Sequence, residues 1–326
     1  MAFFTTADIP DQTGRLAIIT GATGGLGLET AVALAGKGAE VILAARNPAK
    51  GRDAEALIRA AVPTARVVFE PVDLASLASV EAFAERMLRA GRPIDILINN
   101  AGVMALPKRQ ATVDGFEMQF ATNYLSHFAL TGRLLPLLTA ASARVVQLSS
   151  VAHKGGRIRL DDLNAERSYR PWPVYQQSKL AMLMFAIELQ RRSDAGGWGL
   201  TSVAAHPGFA HTDLMANGPA SGGGGLHSRA IGLLERLAGH SAAAGALPTL
   251  MAATAPNAGP GAYYGPQGWQ DLKGPPALAA IRPQALDAAV AGALWTASEA
   301  LSGVHWPQSA PSGFAGAKHG FVTMAE

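Results

Sequence analysis

Short apolar runs alternate with longer amphipathic stretches through the first two thirds of the chain. Residues 15–20, 40–45, 66–72, 94–98, 144–151 and 201–205 are rich in Val, Ile, Leu and Ala, with charges confined mostly to their ends. Near-continuous apolarity over so few residues marks strands buried on both faces. Residues 28–37, 49–62 and 76–89 lie between them and carry the wider spacing of helices. Strand and helix in strict alternation predict one doubly wound α/β sheet of parallel strands with helices on both faces, a Rossmann-type fold. Residues 174–189 form a run too long and too apolar for an exposed loop, and it reads as a buried helix. Farther on, 242–253 reads as a helix, 261–266 as the last strand and 283–301 as the last helix. No internal repeat divides the chain.

Composition adds little to the fold but removes several functions. Apolar residues make up 49% and charged ones 16%, enough for a sizeable core. The net charge of +3 comes from scattered basic residues, so no nucleic-acid partner is expected. With no cysteine, disulfides and thiolate metal sites are excluded, which fits a reducing compartment. Residues 1–14 lack a basic segment followed by an apolar one, and no uninterrupted apolar run approaches the ~18 residues of a membrane span. A cytoplasmic protein without a membrane partner is the expectation.

The first strand runs directly into Gly21-Ala22-Thr23-Gly24-Gly25-Leu26-Gly27 and then a helix. In that context Gly21 permits a tight turn, Gly25 lets the backbone approach a pyrophosphate, and Gly27 lets the helix pack close to the sheet. The phosphate would rest on the helix N-terminus. By spacing alone the glycines fit either TGxxxGxG or TGxxGxxG. The second strand is followed by Arg46, with no carboxylate to accept from a ribose 2′-hydroxyl, and an arginine there suits a 2′-phosphate. NADP(H) is therefore favoured over NAD(H), with Asn47, Lys50 and Arg52 adding donors. Asp73, at the tip of the third strand, could hold an adenine amino group or cap the following helix.

Tyr175 and Lys179 lie one helical turn apart on the 174–189 segment and share a face. An ammonium beside a phenol favours the phenolate, which makes Tyr175 a candidate general acid tuned by Lys179. His206 has no partner at ligand spacing and reads as a turn or packing residue, so no metal is expected.

Taken together, TGATGGLG, Asp73-Leu74, the Asn99-Asn100-Ala101-Gly102 turn after the fourth strand and Tyr175-x-x-x-Lys179 resemble the short-chain dehydrogenase/reductases. The NNAG turn favours the TGxxxGxG branch. Ser150-Val-Ala-His153, with the long stretch separating Ser150 from Tyr175, resembles the retinol-dehydrogenase-like group. The resemblance implies a catalytic set of Asn123, Ser150, Tyr175 and Lys179, in which Asn123 supports a water linked to Lys179 and Ser150 orients the substrate, with Ser149 as the alternative. It extends the cofactor set through Gly21, Thr23, Gly25, Leu26, Gly27, Arg46, Asp73, Leu74, Asn100, Ala101, Gly102, Tyr175 and Lys179 to Pro207, Gly208 and Thr212, the last on the carboxamide.

The expected organisation is a single domain over 1–326. Residues 15–210 form the cofactor and catalytic core, 211–260 a substrate lid region whose glycine-rich 217–225 stretch reads equally as a disordered surface loop, and 261–326 the last strand, helix and tail. The expected reaction interconverts a hydrophobic aldehyde or ketone and its alcohol, with Phe209, Leu214 and Met215 near the pocket and a homo-oligomer possible. Two other readings stay open: a nucleotide-sensing binding protein without turnover, and an epimerase or dehydratase of the extended branch.

Overall fold

The structure is a computed structural model that describes residues 3–209 and 240–308. Six strands follow the expected places: β1 (Leu16–Thr20), β2 (Glu40–Ala45), β3 (Arg66–Pro71), β4 (Ile96–Asn99), β5 (Arg144–Leu148) and β6 (Thr201–Ala205). They join β7 (Tyr263–Pro266) and β8 (Pro276–Leu278) in one sheet of order β3-β2-β1-β4-β5-β6-β7-β8. All neighbours are parallel except β7 and β8, which pair antiparallel. β8 departs from the expectation that 261–266 is the last strand. With only three residues it offers no periodicity to read.

Because side chains alternate across a strand, each apolar run feeds two cores. Leu16 and Ile18 of β1 pack on one face with α3 (Leu77–Ala90), α4 (Met118–Arg133), α6 (Pro171–Gly196) and α8 (Ala288–Ser302). Ala17 and Ile19 pack on the other with α1 (Gly25–Gly36), α2 (Pro48–Ala61) and α7 (Ala242–Thr254). The short α5 (Leu135–Ala140) leads into β5.

The lid assignment needs correction. Residues 210–239 lie outside the described residues, but α7 belongs to the core: its Ala246 and Leu250 are buried with Ala31 and Leu34 of α1. An all-apolar helix reads alike in a lid and in a core, so sequence could not separate them.

Candidate active site

The chain reversal from β1 to β4 leaves a crevice at the carboxyl ends of the strands, where open α/β sheets take their ligands. The glycine turn enters it from β1. Gly21 and Gly25 have φ of 67° and 52°, the left-handed region that glycine tolerates. Gly27 is held to glycine by space, since a Cβ there would lie 2.5 Å from the Gly21 oxygen and 2.7 Å from Asn100 Nδ2. No side chain caps the first turn of α1, so its leading N–H groups remain for an anion. A bare helix start beneath a glycine cradle fits a dinucleotide pyrophosphate. Thr23 and Leu26 are half-buried in the same turn.

Gly21 N donates to Ala44 O at 2.8 Å, tying the turn to the end of β2. Arg46 follows that end exposed, whereas Asn47 is spent on capping α2 through Ala49 N and Lys50 N. Asp73 does not cap α3. That role belongs to Ser76, which accepts from Ser79 N, while Asp73 Oδ1 accepts from Ala75 N in its own turn beside buried Leu74.

The NNAG turn locks onto β1. Asn100 Nδ2 donates to Thr20 O at 2.8 Å, and the backbone N–H groups of Asn100 and Ala101 donate to Thr20 Oγ1 at 2.9 and 3.0 Å. Asn99 points the other way and binds Thr131 and Gln147 in the core. Gly102 then passes so close to Asn123 and Lys179 that a Cβ would lie 3.0 Å from Asn123 Oδ1 and 3.4 Å from Lys179 Nζ.

Asn123 sits in a π turn, Ala121–Leu125, set into α4 between Met118–Phe120 and Ser126–Arg133. Such single-turn bulges recur at functional sites because they re-aim a side chain without breaking the helix. Its Oδ1 accepts from Val103 N at 2.7 Å, and its Nδ2 donates to Val103 O and Ser178 Oγ at 2.9 Å. The side chain thus fastens the loop after β4 to α6.

β5 ends beneath the same helix. Lys179 Nζ donates to Leu148 O at 3.0 Å, and Ser149 Oγ donates to the Lys179 carbonyl at 2.7 Å. Ser149 is buried and committed to that packing. Ser150 is half-buried, its hydroxyl accepts from Ala152 N at 3.2 Å, and it lowers the Tyr175 pKa, which favours it over the committed Ser149.

Burial pushes the Tyr175 phenol up to about 12, only partly offset by the Ser150 side chain, and burial brings Lys179 down to about 8. The expectation that Lys179 draws the phenol down is therefore not met. Its Nζ lies 6.0 Å from the ring centroid and is bonded elsewhere, so desolvation dominates. A phenol held protonated is still a competent acid.

Pro207 and Gly208 follow β6 at the crevice, and Gly208, with φ of 71°, packs on the Leu272 carbonyl. Thr212, Leu214 and Met215 lie outside the described residues, and Phe209 is fixed by its N–H to Leu272 O at 2.7 Å. His206 is a buried packing residue whose Nδ1 accepts from Gly208 N at 3.2 Å. Burial holds it down to about 3. Among the described residues no group of His, Asp and Glu could hold a metal.

A family model for short chain dehydrogenase matches residues 15–221, which include the glycine turn, the NNAG turn and the Tyr175-Lys179 pair. The chain belongs to the short-chain dehydrogenases. The fold of that family binds a nicotinamide dinucleotide. Mouse polyprenol dehydrogenase is 44% identical over 211 residues, 63% of this chain and 63% of that protein. The chain thus matches less than two thirds of that relative's length. Human retinol dehydrogenase 12 is 38% identical over 299 residues, 90% of this chain and 88% of that one. A solved, uncharacterised protein from Mycobacterium paratuberculosis superposes with a TM-score of 0.77 at 40% identity, covering 94% of this chain and all of that one. These place the short-chain dehydrogenase in the retinol-dehydrogenase-like group. Among its described residues no helix is long and apolar enough to cross a membrane.

Six residues beside the site were given no role by sequence reasoning. Met104, Ala105 and Ala152 form a small buried apolar cluster with Tyr175, and the exposed Trp172 ring lies 5.5 Å from the Tyr175 ring. His153 Nδ1 bonds the Ser150 carbonyl at 2.7 Å. His127, one turn after Asn123, bridges the Asn123 carbonyl and the Thr20 hydroxyl at the end of β1. Only the i, i+4 spacing of Asn123 and His127 could have signalled the last.

Proposed function

We propose that this chain is an NADP(H)-dependent carbonyl reductase acting reversibly on hydrophobic aldehydes or ketones and their alcohols. One observation carries the reading: Tyr175 is buried with Met104, Ala105 and Ala152 one turn from buried Lys179, and burial keeps its phenol protonated. The bound nicotinamide supplies the hydride. Gly21, Thr23, Gly25, Leu26 and Gly27 would hold its pyrophosphate, and Arg46 a 2′-phosphate. Asp73, Leu74, Asn100, Ala101 and Gly102 would line the adenosine and ribose side, with Pro207, Gly208 and Thr212 towards the nicotinamide.

Ser150 would donate to the substrate carbonyl, and Tyr175 would pass its phenolic proton to the same oxygen as carbon is reduced. Lys179, still protonated at neutral pH, would hold the nicotinamide ribose and stabilise the phenolate left behind. Asn123 would fix the loop and helix that carry the pair. Preference for apolar substrates rests on Met104, Ala105, Ala152 and Trp172 around Tyr175 rather than on Phe209.

The test is loss of NADPH absorbance with a panel of apolar and polar aldehydes and ketones, repeated with NADH. Faster oxidation with apolar carbonyls and with NADPH is expected. Cofactor binding without oxidation across the panel would favour a sensor, and sugar-nucleotide conversion without net cofactor use an epimerase.

A further inference from the structure

His127 is wholly buried on α4 and belongs to none of the roles assigned above. Its ring bridges two backbone segments. Nδ1 lies 3.0 Å from the carbonyl oxygen of Asn123, and Nε2 lies 2.9 Å from Thr20 Oγ1. A carbonyl only accepts, so Nδ1 carries the ring proton and Nε2 must accept from the Thr20 hydroxyl. With its proton given to His127, Thr20 Oγ1 keeps both lone pairs for the backbone N–H groups of Asn100 and Ala101. Every polar group in the chain of bonds is then satisfied, and only one tautomer satisfies it.

We propose that His127 is a positioning residue that holds the cofactor-binding turns and the Asn123 turn in one register; this rests on the oxidoreductase reading. On one side it fixes Thr20, which precedes Gly21 and anchors the NNAG turn. On the other it fixes the carbonyl of the π turn whose Asn123 side chain ties Val103 to Ser178. A doubly protonated ring would bring a third donor to Thr20 Oγ1 and displace its hydroxyl proton towards Ile98 O, 3.4 Å away. Burial prevents this by holding His127 down to about 4, assisted by Lys179, the charged group facing it from α6.

Two substitutions separate the two bonds. His127→Asn keeps an N–H in the place of Nδ1 and loses Thr20, whereas His127→Gln keeps an acceptor in the place of Nε2 and loses Asn123. NADPH affinity is measured by calorimetry and kcat at saturating cofactor with the best carbonyl found. His127→Asn should weaken NADPH binding about five-fold and leave kcat within about two-fold, and His127→Gln should do the reverse, as expected for one buried hydrogen bond each. Should His127→Asn not fold, Thr20→Ala deletes the same bond from its other end and should weaken NADPH binding similarly, with Thr20→Ser close to wild type. Parallel losses of affinity, kcat and Tm in both variants would reduce His127 to packing, and unchanged affinity in His127→Asn or Thr20→Ala would overturn the proposal. A wild-type chain that binds NADPH without turnover would sink the oxidoreductase reading instead, and equal affinities in the two variants would still overturn the role of His127.

Discussion

Lys179 holds its ammonium 6.0 Å from the centre of the Tyr175 ring, and both side chains are buried. Their shared burial drives the two pKa values apart, the phenol up to about 12 and the amine down to about 8. Charge on either is expensive here, and the site supports it where chemistry uses it.

Stability should carry the mark of that lysine. Between about 8 and its ordinary 10.5, Lys179 is neutral in the folded chain and still protonated in the unfolded one. The unfolded chain then binds more protons, so the Lys179 contribution rises with pH through this window, by about 1.4 kcal/mol per unit. Denaturant unfolding between pH 8 and about 10, below the range where Tyr175 titrates with the opposite sign, should show a climb that Lys179→Met abolishes. An unchanged slope would place the amine in water.

The two serines at the end of β5 should separate chemistry from packing. Under the proposed mechanism Ser150→Ala is expected to lower kcat by about 10²-fold, at a stability cost of no more than about 1 kcal/mol from the lost cap on Ala152 N. Ser149→Ala removes the buried bond to the Lys179 carbonyl and should cost about 1 kcal/mol of stability. Steady-state kinetics and thermal melts of the pair check both, and a reversed pattern would make Ser149 the substrate residue.

Arg46 should set the cofactor. Arg46→Asp places a carboxylate at the end of β2, where it would accept from a ribose 2′-hydroxyl and repel a 2′-phosphate. The ratio of kcat/KM for NADPH over NADH is expected to fall by about 10²-fold or more. An unmoved ratio would remove Arg46 from the phosphate site.

Gly27 should tolerate no side chain, whereas Gly36 at the other end of α1 should. A Cβ on Gly27 meets backbone at 2.5 Å, while one on Gly36 meets only Val62 Cγ2 at 3.7 Å. Gly27→Ala is expected to cost about 1–3 kcal/mol and most NADPH binding, with Gly36→Ala near neutral. Calorimetry with NADPH on both variants checks the contrast.

Much of this was legible in the residues. The strand, glycine turn and helix at 16–36 and the alternation after it fix the parallel sheet, because buried strands must be apolar on both faces. β8 was not legible, since its three residues Pro276–Leu278 make strand only by pairing with Tyr264, Gly265 and Pro266. The spacing of Tyr175 and Lys179 gave a shared face and no more. Whether the lysine tunes the phenol depends on burial and on its bond to Leu148 O, and neither is written in an i, i+4 interval. The π turn at Ala121–Leu125 likewise follows from packing of α4 rather than from any residue pattern.

The central claim is that Tyr175 delivers a proton where the nicotinamide delivers a hydride. NADPH deuterated at the transferring position, mixed with an apolar aldehyde and the protein, should yield an alcohol carrying deuterium at carbon by mass spectrometry. Tyr175→Phe should bind the cofactor normally and slow that transfer by about 10³-fold or more. Product without deuterium, or transfer at the wild-type rate in Tyr175→Phe, would contradict the account.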